Sequence, residues 1–161
     1  MFRRITAGLI LIAITLSVMA CSGNNTQSLT PIKAKWITTK TVESTVSIPA
    51  SEVESNKMTH FKFNTPNGDL AFMAYELGVE KHVRSNICPP CRSIGFSLKG
   101  DVLVCDTCAT TFNAKTGEGI TGACADFPKA AVPYKVIEGN MTMEGNTLLT
   151  AYQNTLKPGL P

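Results

Sequence analysis

The feature that most limits this chain is a double cysteine knuckle: Cys88-Pro89-Pro90-Cys91, thirteen residues, then Cys105-Asp106-Thr107-Cys108. A Cys-x-x-Cys turn aims two sulfurs at one point, about a metal radius away. Two such turns, brought together by a hairpin, supply four thiolates in a tetrahedron. Thiolates are soft donors and select zinc or an iron–sulfur cluster over magnesium or calcium. Zinc-ribbon spacing fits both knuckles. The bland alternative is a pair of disulfides in an exported domain. A thioredoxin-like reading needs a motif that opens a helix inside a βαβ unit, and the stretch after Pro89-Pro90 is not helix-like. The two prolines also lack backbone donors, so N–H groups directed at sulfur are expected from Cys91 onward or from the second loop.

Two further cysteines complete a total of six. Cys124 follows Cys108 after fifteen residues. With it the clustered cysteines number five, an odd count that disulfides within one chain cannot use up. Cys124 reads equally as a buried small hydrophobe or as a fifth thiolate, either an additional ligand or a disulfide partner beside the site. Cys21 stands apart, at the end of an apolar run.

That run reads as an address. Arg3 and Arg4 precede Ile5 to Ala20, which is apolar, uncharged and short of the roughly 20 residues of a permanent spanning helix. A positive flank, an apolar centre and small residues at the exit fit a secretory signal over 1–20. Val18-Met19-Ala20-Cys21 resembles a bacterial lipobox, with Met19 where a small residue is commoner, so Cys21 is expected to carry lipid. Two or three acyl chains anchor a protein stably where one would not. Residues 21–41 are then a tether, 42–145 the working domain and 146–161 a C-terminal tail. The expected location is the cell envelope, outside the cytoplasm and on a membrane surface; inner and outer membrane are both compatible. The formal charge of +3 falls to +1 once Arg3 and Arg4 leave with the signal, so no basic face for nucleic acid is indicated.

The body reads as short strands and turns. Val46 and Ile48 share one face of a strand over 45–49. Phe61 and Phe63 share a face opposite His60 and Lys62. Pro66-Asn67-Gly68 turns that strand into one starting at Leu70, a hairpin over 59–75. Gly100-Asp101 and Glu138-Gly139-Asn140 mark two more hairpin turns. No amphipathic helix stands out, and residues 147–161 read as a final strand or a loose tail. Strands at such spacing indicate an all-β sandwich or barrel.

With these residues in place, Val46 to Met143 resembles the FtrD-like membrane iron–sulfur protein family. The resemblance runs through Ile87-Cys88-Pro89-Pro90-Cys91, Gly95-Phe96, Val104-Cys105-Asp106-Thr107-Cys108, Phe112, Gly122-Ala123-Cys124 and Val132-Pro133-Tyr134. Members carry Gly-Gly-Cys-Asn-Pro where this chain has Gly122-Ala123-Cys124-Ala125-Asp126, and commonly tyrosine where it has Phe96. The resemblance implies an iron–sulfur centre near iron-transport or respiratory electron-transfer machinery. Residues 105–117 are also similar to the second cluster loop of Rieske ferredoxins, with Cys108 where those have histidine, and 132–140 resembles their closing hairpin. Rieske centres take two cysteines on one iron and two histidines on the other; four cysteines imply a more negative cluster and a lower potential. The implied fold is a small Rieske-like antiparallel sandwich with both knuckle loops at one end.

The expected function is therefore that of a membrane-anchored extracytoplasmic electron carrier, not a substrate-converting enzyme. A [2Fe–2S] cluster is expected on Cys88, Cys91, Cys105 and Cys108, with redox or iron-transport proteins as partners. Zinc in a structural module and thiol–disulfide chemistry are the alternatives. No Gly-rich phosphate loop, paired-carboxylate site or Ser/His/Asp motif is present. Neither His60 nor His82 has metal spacing to the cysteines. Lys99, Lys129 and Lys135 read as surface lysines that could border the cluster and meet an acidic partner.

Overall fold

The computed structural model describes residues 30–159. The signal segment 1–20, Cys21 and the start of the tether lie outside the described residues. In chain order the elements are β1 (Ile32–Lys33), β2 (Lys35–Trp36), β3 (Lys40–Val42), β4 (Thr45–Pro49), α1 (Ala50–Asn56), β5 (Met58–Thr65), β6 (Gly68–Leu77), β7 (Glu80–Ser85), β8 (Phe96–Lys99), β9 (Val102–Cys105), β10 (Thr111–Asn113), β11 (Gly119–Thr121), β12 (Lys135–Ile137), β13 (Asn140–Glu144) and α2 (Gly145–Thr155).

Three sheets form, in the strand orders β1-β8-β9-β10-β11, β2-β5-β6-β7 and β12-β13-β4-β3. Pairing is antiparallel throughout except at β2–β5. The hairpins expected from turn residues are present. Thr65 pairs with Gly68 across a two-residue loop. Lys99 pairs with Val102, and Ile137 with Asn140 around Glu138 and Gly139, both at positive φ as a tight hairpin turn requires.

The β2-β5-β6-β7 sheet is covered on both faces. Phe61, Phe72, Ala74 and Val83 pack with Val46, Ile48, Met141, Met143 and the helix residues Val53 and Leu148. On the other face Met58, Met73 and Tyr75 pack with Phe96, Leu98, Leu103 and Phe112. Burial on both sides explains why β6 reads as a near-continuous apolar run rather than an alternating one.

Two elements depart from expectation. Residues 147–161 read as a final strand or a loose tail, but 147–155 belong to α2 (Gly145–Thr155), which buries Leu148, Ala151 and Thr155. Asn, Thr and Gly are weak helix formers, so packing rather than propensity sustains it. α1 is seven residues long and opens directly after Pro49. Within the expected tether, Ile32–Lys33 pairs with β8 and Lys35–Trp36 with β5, adding an edge strand to each of two sheets. Among the described residues no helix is long and apolar enough to cross a membrane.

Candidate metal centre

The two knuckles occupy neighbouring loops, Cys88–Cys91 between β7 and β8 and Cys105–Cys108 between β9 and β10. Pairing of β8 with β9, Phe96 opposite Cys105, brings the loops together. One Sγ from each of Cys88, Cys91, Cys105 and Cys108 lies within 4.8 Å of the other three. The first cysteine of each knuckle is buried and the second half-exposed. The spacing thus produces an inner and an outer pair of sulfurs.

Backbone geometry makes the loops alike. The residue after each second cysteine, Arg92 (φ 58°) and Ala109 (φ 56°), adopts the left-handed conformation, uncommon for side chains with a Cβ. The Cys88 N–H donates to Ser93 O at 2.8 Å and the Ala109 N–H to Cys105 O at 3.0 Å. The Thr107 hydroxyl donates to Ser93 Oγ at 3.0 Å, joining one loop to the other. Asp106 tightens the same end: Ser97 Oγ donates to its Oδ1 at 2.5 Å and Lys33 Nζ at 2.9 Å. Lys33 and Ser97 are opposite residues of β1 and β8, so an edge strand is tied to the second knuckle.

The thiols experience different fields. Burial pushes Cys88 and Cys105 up, and neighbouring thiols add to this at Cys88. Burial also acts upward on Cys108, but hydrogen bonds from the Thr110 hydroxyl and N–H, with neighbouring thiols, bring it down to about 6. N–H groups of Thr107 and Cys108 face Cys105. The donors to Cys105 thus come from the second loop and from Ser93, beyond Cys91 in the first, within the two sources the prolines leave open.

Thr110 is a site residue that spacing did not reveal. It is fully buried, its Oγ1 lies 3.2 Å from Cys108 Sγ, and it accepts the Cys124 N–H at 3.2 Å. Cys124 is buried with its Sγ 3.7 Å from Cys108 Sγ. The fifth thiol thus borders the tetrad. Gly122 permits this approach: its φ is +115° and a Cβ there would sit 2.6 Å from Thr110 Oγ1.

The lysines divide differently from expectation. Lys99 and Lys135 are exposed, but Lys129 is 0% exposed. Its Nζ donates to Ile87 O at 2.8 Å and lies 4.4 Å from the Phe112 ring centroid and 5.5 Å from that of Phe96. Burial pulls it down to about 8, against the upward pull of Cys88, Cys105, Cys124 and Cys91. A lysine inside Phe127-Pro128-Lys129-Ala130-Ala131-Val132 was the signal for burial. Arg84 is a second buried cation, held by Tyr75 Oη (2.9 Å), Lys129 O (2.7 Å) and Lys115 O (2.5 Å).

Neither histidine belongs to the cysteine group. His60 is buried on the cysteine-side face of β5, edge-on to Trp36 at 5.0 Å; burial lowers it to about 4. His82 stacks on Tyr75 at 5.6 Å. Trp36 itself is 45% exposed, on edge strand β2.

The donor set fits a thiolate-held iron–sulfur group: four soft donors converge, no carboxylate or imidazole stands among them, and cations line the core behind them. A family model described as "Membrane iron-sulfur containing protein FtrD-like" matches residues 53–154. No curated protein matches the chain. Among solved structures, a chain of the "Complex of reduced oxygenase and oxidized ferredoxin in carbazole 1,9a-dioxygenase" is 20% identical with a TM-score of 0.53. The match covers 65% of this chain and 95% of that one. "Sphingomonas yanoikuyae B1 ferredoxin" is 19% identical over 47% of this chain and 74% of its own, with a TM-score of 0.42. The fold is thus the expected Rieske-like, antiparallel, mostly β architecture, with the cysteines gathered at one end.

Proposed function

Because the chain belongs to the family of FtrD-like membrane iron–sulfur containing proteins, we propose that Cys88, Cys91, Cys105 and Cys108 hold a [2Fe–2S] cluster that passes single electrons between proteins. The observation that carries the metal centre is the convergence of four thiols from two loops, one inner and one outer sulfur from each; the family description supports its iron–sulfur identity. When bound, such a cluster supplies reversible one-electron chemistry. Cys88 and Cys105 would hold the group from its buried side, and Cys91 and Cys108 from the side nearer solvent. Thr110 steadies Cys108 and the N–H groups of the second loop stabilise thiolate charge. Phe96 and Phe112 exclude water from the inner side.

Cys124 is read as an additional thiol able to serve as a ligand or to pair with Cys108 as a disulfide. Full iron content in a Cys124→Ser chain would remove it from the essential ligands. The chain is further read as an exported lipoprotein: signal over 1–20, lipid on Cys21, a tether that ends before β1, and a working domain that runs from β1 through α2. Sequence at the N-terminus and the word "membrane" in the family description support this. By likeness to a ferredoxin seen with its oxygenase, the partner is a redox protein docking at the knuckle end; iron transport or respiration is the setting the family resemblance favours.

A zinc reading has one observation in its favour. A single tetrahedral ion with metal–sulfur bonds of about 2.3 Å separates its sulfurs by about 3.8 Å, and Cys91 and Cys105 stand 3.7 Å apart. The test is a reductive titration of the anaerobically isolated full chain. Bleaching of a visible chromophore by one electron per chain, restored on reoxidation, is expected. A colourless chain that takes up no electron contradicts electron transfer.

A further inference from the structure

We propose that Lys129 is the buried counter-charge of the metal centre, holding its ammonium in the core so that metal-bound thiolates are its negative partners. This rests on the iron–sulfur reading above.

An ammonium removed from water costs several kcal/mol unless it is paired. Lys129 is completely buried, yet the ion pairs among the described residues use Lys33, Lys35, Lys57, Lys62, Lys81 and His82. Among the described residues no carboxylate pairs with Lys129. Its hydrogen bond goes to a neutral carbonyl, Ile87 O, and two aromatic faces flank it. The groups that could balance it are the sulfurs of Cys88, Cys105 and Cys124, with Cys91 packed against them, which share one buried cluster with the Phe96 and Phe112 rings that flank the ammonium. The charge is therefore balanced only when the cysteines are ionised, the state that metal binding imposes.

The position of the ammonium is fixed from both ends. The Lys129 N–H donates to Gly117 O at 2.8 Å, and Arg84 Nη1 donates to Lys129 O at 2.7 Å. A Cβ on Gly117 would lie 2.2 Å from Lys129 O, so this packing admits only glycine there. At the other end Ile87 directly precedes the first ligand, and its carbonyl is held by Nζ. Lys129 thus acts as a positioning and electrostatic residue. Addition of one electron from a donor protein makes the centre one unit more negative, and the ammonium, which keeps its proton, stabilises that form more than the oxidised one. The consequence is a higher reduction potential than four thiolates would otherwise give.

The test compares the full chain with Lys129→Met and Lys129→Arg. At matched iron content, Lys129→Met is expected to lower the reduction equilibrium constant at least about tenfold, ~59 mV for a one-electron couple. Lys129→Arg, which keeps the charge, should recover most of that loss. An unchanged midpoint in Lys129→Met overturns the proposal. Should Lys129→Met fail to retain iron, thermal unfolding of metal-free and zinc(II)-loaded chains decides. The rise in midpoint temperature on zinc loading is expected to be smaller in Lys129→Met than in wild type. Equal rises would mean that Lys129 merely holds Ile87 and would overturn the proposal. A wild-type chain without iron defeats the iron–sulfur reading alone, and the zinc comparison still judges Lys129.

Discussion

The two faces of the β2-β5-β6-β7 sheet are built from the same strands and do different work. On one face Phe61, Phe72, Ala74 and Val83 meet an apolar layer closed by α1 and α2. On the other, residues one position away, His60, Met73, Tyr75 and Arg84, meet the cysteine layer. The second face buries a histidine, a tyrosine, an arginine and, across from them, Lys129. Alternation of side chains along a strand lets one sheet carry both arrangements. The difference teaches where stability and function separate: the first face supplies unconditional burial, whereas the second carries charge that a metal centre completes.

The contrast breaks most sharply at the ligands. Cys105→Ser should abolish iron retention, read by metal analysis, while far-ultraviolet circular dichroism still reports the β fold. On the opposite face the pattern should invert. Phe72→Ala should cost about 3–5 kcal/mol in denaturant unfolding, with iron per folded chain unchanged.

A next-largest effect concerns pH. His60 carries about 4 in the folded chain against 6.5 ordinarily. Below pH 6.5 the unfolded chain takes up a proton that the folded chain refuses, so stability falls as pH drops toward 4. The loss should reach about 3 kcal/mol, and His60→Gln should flatten that part of the stability–pH curve. A wild-type curve that stays level between pH 6.5 and 4 would remove the buried neutral histidine from the account.

The smallest effect is expected at Thr110. Thr110→Val keeps the shape and deletes the hydroxyl that serves Cys108 and the Cys124 N–H. It should cost about 1–3 kcal/mol and speed iron loss to a chelator. Equal rates of loss in the two chains would show that the hydroxyl does not steady the outer sulfur.

Legibility in the sequence followed the same division. Hairpin turns were readable because Asn67-Gly68 and Glu138-Gly139 announce their own backbone geometry. The tetrad was readable because its chemistry requires a fixed spacing. α2 was obscured by Gly145, Asn146, Thr147 and Asn154, residues that favour helix only when Leu148 and Ala151 have a core to enter. β6 hid its alternation because both faces are covered. Lys129 and Thr110 depend on contacts across the fold: Nζ reaches Ile87 over 42 positions, and Oγ1 receives the Cys124 N–H over 14. No local pattern encodes such partners. Arg92 and Ala109 escaped notice because glycine, the usual marker of positive φ, is absent at both.

The central claim is that the four knuckle cysteines hold an iron–sulfur centre, and the most direct measurement is metal and acid-labile sulfide content of the full chain isolated without air. The account predicts a brown protein with iron and sulfide in equal amounts, both lost together in Cys88→Ser. A colourless protein with zinc and no sulfide would contradict it.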